Sequence, residues 1–175
     1  MPSTKSTLMN ATKEYPWAAS LVQAIAHTND FEQLASVGIS HLKSNLGTET
    51  HIVSGPISTG GQGNKKSNLA RLKWTTDALS RQFTMFDHLP FEDKIAEFVA
   101  RWRRAGGKDY CWDIMDIFYA RLFESGYIIQ VHFMPDWQSS TGARHERKMC
   151  QELGIRIVEI PQSFYSTVPL RAVMQ

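Results

Sequence analysis

Three groups of residues have the types and spacing to act on a small polar molecule. The segment Ser139-Ser140-Thr141-Gly142-Ala143-Arg144-His145-Glu146 enters a helix, and on a 3.6-residue period Arg144, Arg147, Lys148 and Gln151 form its solvent face. Glu146 shares its stripe with Met149, Cys150 and Leu153, so a carboxylate points inward. Such a group stays protonated or needs a cationic or hydrogen-bonding partner, unless catalysis requires it. A capping-type glutamate held by the helix dipole is the structural alternative. The second group is Asp113 and Asp116, one turn apart on a helix that Ile114, Met115, Ile117, Phe118, Leu122 and Phe123 make apolar nearly all round. They either pair with Arg101, Arg103 or Arg104, or supply acid/base or sugar-hydroxyl chemistry beside Glu146. The third is the loop Ser54-Gly55-Pro56-Ile57-Ser58-Thr59-Gly60-Gly61, where small residues admit a ligand to the backbone and Ser58, Thr59 and N–H groups can hold phosphate or sugar oxygens. It has neither the Gly-Lys-Ser/Thr of a triphosphate loop nor Gly-x-Gly-x-x-Gly spacing, so a plain turn between strand and helix is its alternative.

The elements that must position these residues alternate. A strand at His51 to Ser54 runs into the glycine-rich loop, and a helix follows from about Lys66 to Arg81. A second strand spans Gln82 to Asp87, and Pro90-Phe91-Glu92 opens a helix to about Arg104. A helix from Tyr110 to Glu124 ends at Gly126, an apolar strand covers Tyr127 to Met134, a helix covers Ala143 to Leu153, and a last strand covers Ile155 to Ile160. This order predicts an α/β fold: an open, mostly parallel twisted sheet of Rossmann-like type with helices on both faces and ligands at the carboxyl ends of its strands. Residues 1–15 read as a mobile arm, 16–48 as a helical N-terminal extension appended to the core, and 49–175 as the α/β domain. Asn29-Asp30 is the turn and cap between the two extension helices.

The 175 residues are 42% apolar and 21% charged, which excludes collagenous, low-complexity and wholly disordered chains. A formal net charge of +2 calls for neither a nucleic-acid nor an anionic-membrane partner, and the basic run Arg101 to Lys108 reads as a solvated helix end. Two cysteines, Cys111 and Cys150, provide no disulfide framework or zinc site, no stretch approaches a bilayer span, and the N-terminus does not read as a signal peptide. The expectation is a soluble cytoplasmic protein with no metal and no cofactor.

In this order the motifs resemble the nucleoside 2-deoxyribosyltransferase-like superfamily, especially its 2′-deoxynucleoside 5′-monophosphate N-glycosidase branch. The likeness runs from roughly Thr50 to Pro161 and rests on Ser54 to Gly61 as the first loop and on Ser140-Thr-Gly142-Ala-Arg-His-Glu146 as the last motif. It implies that Glu146 attacks the anomeric carbon as nucleophile while an acid, Asp116 first and Asp113 second, assists departure of the base. Ser140, where the transferases tend to have Asp, implies a nucleotide substrate, because a carboxylate repels phosphate and a hydroxyl binds it. Ser140 and Gly142 with Ser54, Gly55, Ser58, Gly60 and Gly61 are then the phosphate cradle. Pro56 and Ser58-Thr59 replace residues of the branch's first loop, and the cation that leaves missing is supplied by Arg144, Lys65 or Arg71. Phe86, Asp87, His88 and Phe91 are placed to line a base pocket.

The function this implies is N-glycosidic hydrolysis of a (2′-deoxy)nucleoside 5′-monophosphate to free base and sugar phosphate. A deoxyribosyltransferase that passes the sugar to a second base, and a nucleotide-binding module without turnover, are the alternatives. The resemblance also implies a homodimer or higher homo-oligomer, with the tail from Phe164 to Arg171 or the N-terminal helices as the contact.

Overall fold

A computed structural model describes residues 18–166. The expected arm at 1–15 and most of the tail expected to make a subunit contact lie outside these residues. Two helices come first, α1 (Ala19–Ala26) and α2 (Phe31–His41), the latter continuing through a π-turn at Leu42–Leu46. Asp30 caps α2 as expected, its carboxylate accepting the Gln33 N–H at 2.8 Å. Strand β1 (Thr50–Ser54) follows, then α3 (Lys65–Leu79), β2 (Thr84–Met85), α4 (Glu92–Arg104), a π-turn at Ile114–Tyr119 leading into α5 (Ala120–Glu124), β3 (Ile128–Phe133), α6 (Thr141–Leu153) and β4 (Arg156–Glu159).

The four strands form one parallel sheet in the order β2-β1-β3-β4. From β1 the chain moves outward to β2, then crosses back to lay β3 on the other side of β1. The order therefore reverses between β1 and β3, whose last residues Ser54 and Phe133 are paired. One face of the sheet carries α3, with Leu72 and Leu79 packed on Val53 and Met134. The other face carries α2, α5 and α6 over Ile52, Val131 and Phe133. β2 is shorter than the Gln82 to Asp87 run suggests, because its pairing with β1 is limited to Thr50↔Thr84 and His51↔Met85.

Three expectations are corrected by packing. The N-terminal helices are not an appendage: Leu34, Ala35 and Leu42 are fully buried in the same apolar cluster as Ile52, Phe118 and Val131. Burial of that kind makes them a wall of the one core. The segment before β3 is not buried all round. Met115, Phe118, Tyr119, Leu122 and Phe123 form one inward stripe, which leaves Trp112, Asp113 and Asp116 exposed. On α6, Leu153 is likewise 45% exposed rather than inward.

Candidate active site

A cavity of about 400 Å³ opens beside the carboxyl end of β1, between the glycine-rich loop, α4, the 109–119 segment and the N-terminus of α6. Its walls hold Glu146 together with Gly55, Ser58, Ser140 and Gly142 from the expected cradle, and they add Glu92, Lys65 and Tyr110. Each is positioned by local structure. Ser140 is the N-cap of α6, its hydroxyl accepting the Ala143 N–H at 3.2 Å, so the first turn of α6 faces the cavity and Glu146 follows six residues on. The loop after β1 is tied by Asn68 of α3, whose side chain donates to the carbonyls of Ile57 and Gly60 at 3.0 and 3.1 Å and accepts the Gln62 N–H at 2.7 Å. Two bonds then dock this loop onto the start of α6: Gly61 N–H to the Ser139 hydroxyl at 2.9 Å and Thr141 N–H to the Thr59 hydroxyl at 3.0 Å.

Glu146 is 6% exposed, and its Oε2 accepts a short hydrogen bond from the Ser54 hydroxyl at the end of β1. Burial pushes its carboxyl up to about 7, the Ser54 bond pulls the other way, and the negative charge of Glu92 adds to the rise. Such a carboxylate is poorly solvated and close to its ionisation point at neutral pH, as suits a group that forms a bond to an electrophilic carbon. Tyr110, whose hydroxyl packs close to Gly142, is pushed well above the ordinary phenol value by burial and then by Glu146, so it stays a neutral donor in the cavity wall.

Several expected residues lie elsewhere. Asp116 is exposed and pairs with His145 Nε2 at 3.2 Å, and Asp113 faces a separate shallow cleft with Asp30 and Arg101; neither lines the cavity. Ser54 serves Glu146 rather than the cradle. Gly60 and Gly61, at φ +70° and +64°, shape the loop from outside the cavity wall. Phe86, His88 and Phe91 are core residues, at most 2% exposed, and Asp87 accepts the Leu89 N–H at 3.0 Å in the turn before α4. The apolar wall comes instead from Ile95, Ala96, Val99 and Ala100 of α4 and from Ile114 and Met115. Among the three candidate cations, Arg71 pairs with Asp136 at 2.6 Å and Arg144 bonds the Gln138 carbonyl at 2.7 Å; Lys65 alone of them lines the cavity.

Glu92 is the residue that sequence reasoning misses. It is 7% exposed, faces the same cavity as Glu146, and pairs with Lys65 Nζ at 3.2 Å. Its sequence signal, a carboxylate in a helix's first turn after Pro90, is explained by the dipole alone. Only the sheet topology shows that this turn and α6 open on one cavity. Compared with known proteins, the chain matches no family model, no curated protein and no solved structure.

Proposed function

We propose that this protein is an N-glycosidase that hydrolyses the bond between base and sugar in a (2′-deoxy)nucleoside 5′-monophosphate. The observation that carries the proposal is Glu146: a buried carboxylate, aligned by Ser54, facing a cavity whose other residues match the parts of a nucleotide. The hydroxyls of Ser58 and Ser140 with the Lys65 ammonium suit a phosphate. The α4 wall of Ile95, Ala96, Val99 and Ala100 suits the flat apolar face of a base. A sugar held between them has its anomeric carbon at the Glu146 carboxylate. Glu146 attacks that carbon as the base departs, and water then hydrolyses the glycosyl ester. The negative charge of Glu146 also stabilises the oxocarbenium-like transition state, and the low dielectric around it strengthens that effect. The likeness of the Ser54–Gly61 loop and the Ser140–Glu146 motif to the deoxyribosyltransferase-like superfamily supports the same chemistry.

Incubation of the purified chain with a panel of ribo- and deoxyribonucleoside 5′-monophosphates, with chromatographic detection of free base, tests the proposal. Release of a base from at least one nucleotide, lost in Glu146→Gln, is expected. Addition of a second free base separates hydrolysis from transfer, since a transferase yields a new nucleotide in place of sugar phosphate. Cleavage that survives in Glu146→Gln rejects the mechanism.

A further inference from the structure

Resting on that reading of the cavity, we infer that Lys65 and Glu92 form a phosphate-operated proton switch: the substrate's phosphate draws the Lys65 ammonium off Glu92, and the freed carboxylate takes up a proton and becomes the acid that protonates the departing base. Asp113 and Asp116 lie off the cavity, and of the carboxylates on its wall, Glu146, Glu92 and Asp109, only Glu146 and Glu92 are buried. In the empty site Lys65 holds the Glu92 carboxylate in an ion pair at 3.2 Å.

The pair is built to separate. Lys65 is the first residue of α3, and its side chain is 42% exposed against 8% for Glu92. A flexible, hydrated ammonium moves easily to a phosphate dianion, which carries more charge than a carboxylate. Among the described residues, no cation other than Lys65 pairs with Glu92. Glu146 faces it from α6, His88 from the turn after β2, and Tyr110 and Tyr119 from the segment before β3, while Asp87 adds its charge beside His88. His88 is kept neutral by burial, and its Nδ1 is engaged by the Tyr119 hydroxyl at 2.6 Å. Arg103, the other cation on the cavity wall, stands eleven residues further along α4, about 16 Å by helix rise, and is tied to the Asp109 carbonyl at 2.9 Å. A buried carboxylate facing a second carboxylate and a bound phosphate binds a proton.

The cycle balances. The proton passes from Glu92 to a ring nitrogen or carbonyl of the base as the C1′–N bond breaks and its electron pair leaves with the base, while a Glu146 oxygen bonds to C1′. Water then attacks C1′, Glu92 accepts the water's proton, and the C1′–O bond to Glu146 breaks with its electrons returning to that carboxylate. Release of the sugar phosphate returns Lys65 to Glu92 and the proton to solvent.

The experiment is calorimetric titration of the full chain at pH 8 in buffers of different ionisation heat. The probes are formycin A 5′-monophosphate and pseudouridine 5′-monophosphate, whose carbon-linked bases resist cleavage, and the same two nucleosides without phosphate. Uptake approaching one proton per bound nucleotide is expected, and none for the nucleosides. In Glu92→Gln the uptake disappears, nucleotide binding tightens several-fold because Lys65 has no competing partner, and turnover of a cleavable nucleotide falls about a hundredfold or more. In Lys65→Met, KM rises more than kcat falls, since the phosphate loses its cation while Glu92 has no ammonium to shed. A merely structural role for Glu92 would weaken binding and turnover together. Binding without proton uptake, or uptake that persists in Glu92→Gln, overturns the switch and leaves the glycosidase reading standing if base release is seen. Failure of both nucleotides to bind, with no base released from any monophosphate, overturns both.

Discussion

At the scale of single residues, function and stability pull Glu146 in opposite directions. In the proposed role of nucleophile it acts only when ionised, so kcat/KM should rise with pH through about 7, the value to which burial pushes its carboxyl. Its folded pKa lies above the ordinary carboxylate value, so the folded chain holds a proton that the unfolded chain releases. The stabilisation is complete below about pH 4.5 and is lost as pH rises through 7. Glu146→Gln should therefore abolish turnover and stabilise the chain at pH 8 by on the order of 3 kcal/mol, with little gain near pH 4.5. Denaturant unfolding at the two pH values measures this; an equal gain at both would show that the carboxylate is not held at the cost of stability. The inward aim of Glu146 was legible from its helical stripe. Its partner Ser54 was legible as the end of the first strand and a cradle hydroxyl, but nothing in a sequence separation of 92 positions says which hydroxyl meets which carboxylate.

At the scale of elements, the site depends on the docking of the β1 loop against the start of α6. Gly60 sits at φ +70°, and a Cβ there would collide with the Ser139 backbone carbonyl. Gly60→Ala should open this contact and lower both nucleotide affinity and turnover by tenfold or more, whereas Gly63→Ala, where a Cβ meets open space, costs backbone strain without moving α6. Comparing KM and kcat of the two variants checks the difference. The alternation of strands and helices was readable because each long element carries its own period. The π-turn at 114–119 was not, because its buried positions keep ordinary helical spacing; Asp113 and Asp116, on a helix that reads as apolar nearly all round, lie on its exposed side. Glu92 was hidden for the converse reason: a first-turn carboxylate satisfies every local rule without any function.

At the scale of the whole molecule, the sheet buries a second titratable group remote from the cavity. His51 of β1 and His132 of β3 lie with ring nitrogens 3.0 Å apart, the latter also 3.0 Å from the Gln130 amide. Burial, then the proximity of His51, pulls His132 down to about 4; burial lowers His51 as well. Their neutral forms are favoured in the fold, so this contribution to stability is present above about pH 6.5 and is lost as pH falls toward 4. Because Glu146 works in the opposite sense over part of that range, the effect is read as a difference. The melting temperature of the chain should fall relative to His132→Gln as pH drops from 6.5 to 4; parallel curves would mean that the pair does not couple folding to protonation. No sequence pattern marks this pair, since the two histidines meet only through the parallel register of β1 and β3. Among the described residues no helix is long and apolar enough to cross a membrane.

The most direct measurement is the mass of the intact chain after rapid quenching with a 2′-fluorinated nucleoside 5′-monophosphate, whose electron-withdrawing substituent slows hydrolysis of a glycosyl ester. A mass increase equal to the fluorinated sugar phosphate less one water, mapped by peptide sequencing to Glu146 and absent in Glu146→Gln, is the expected result. Release of free base with no adduct on Glu146, or an adduct on another residue, would contradict the assignment of this carboxylate as the nucleophile.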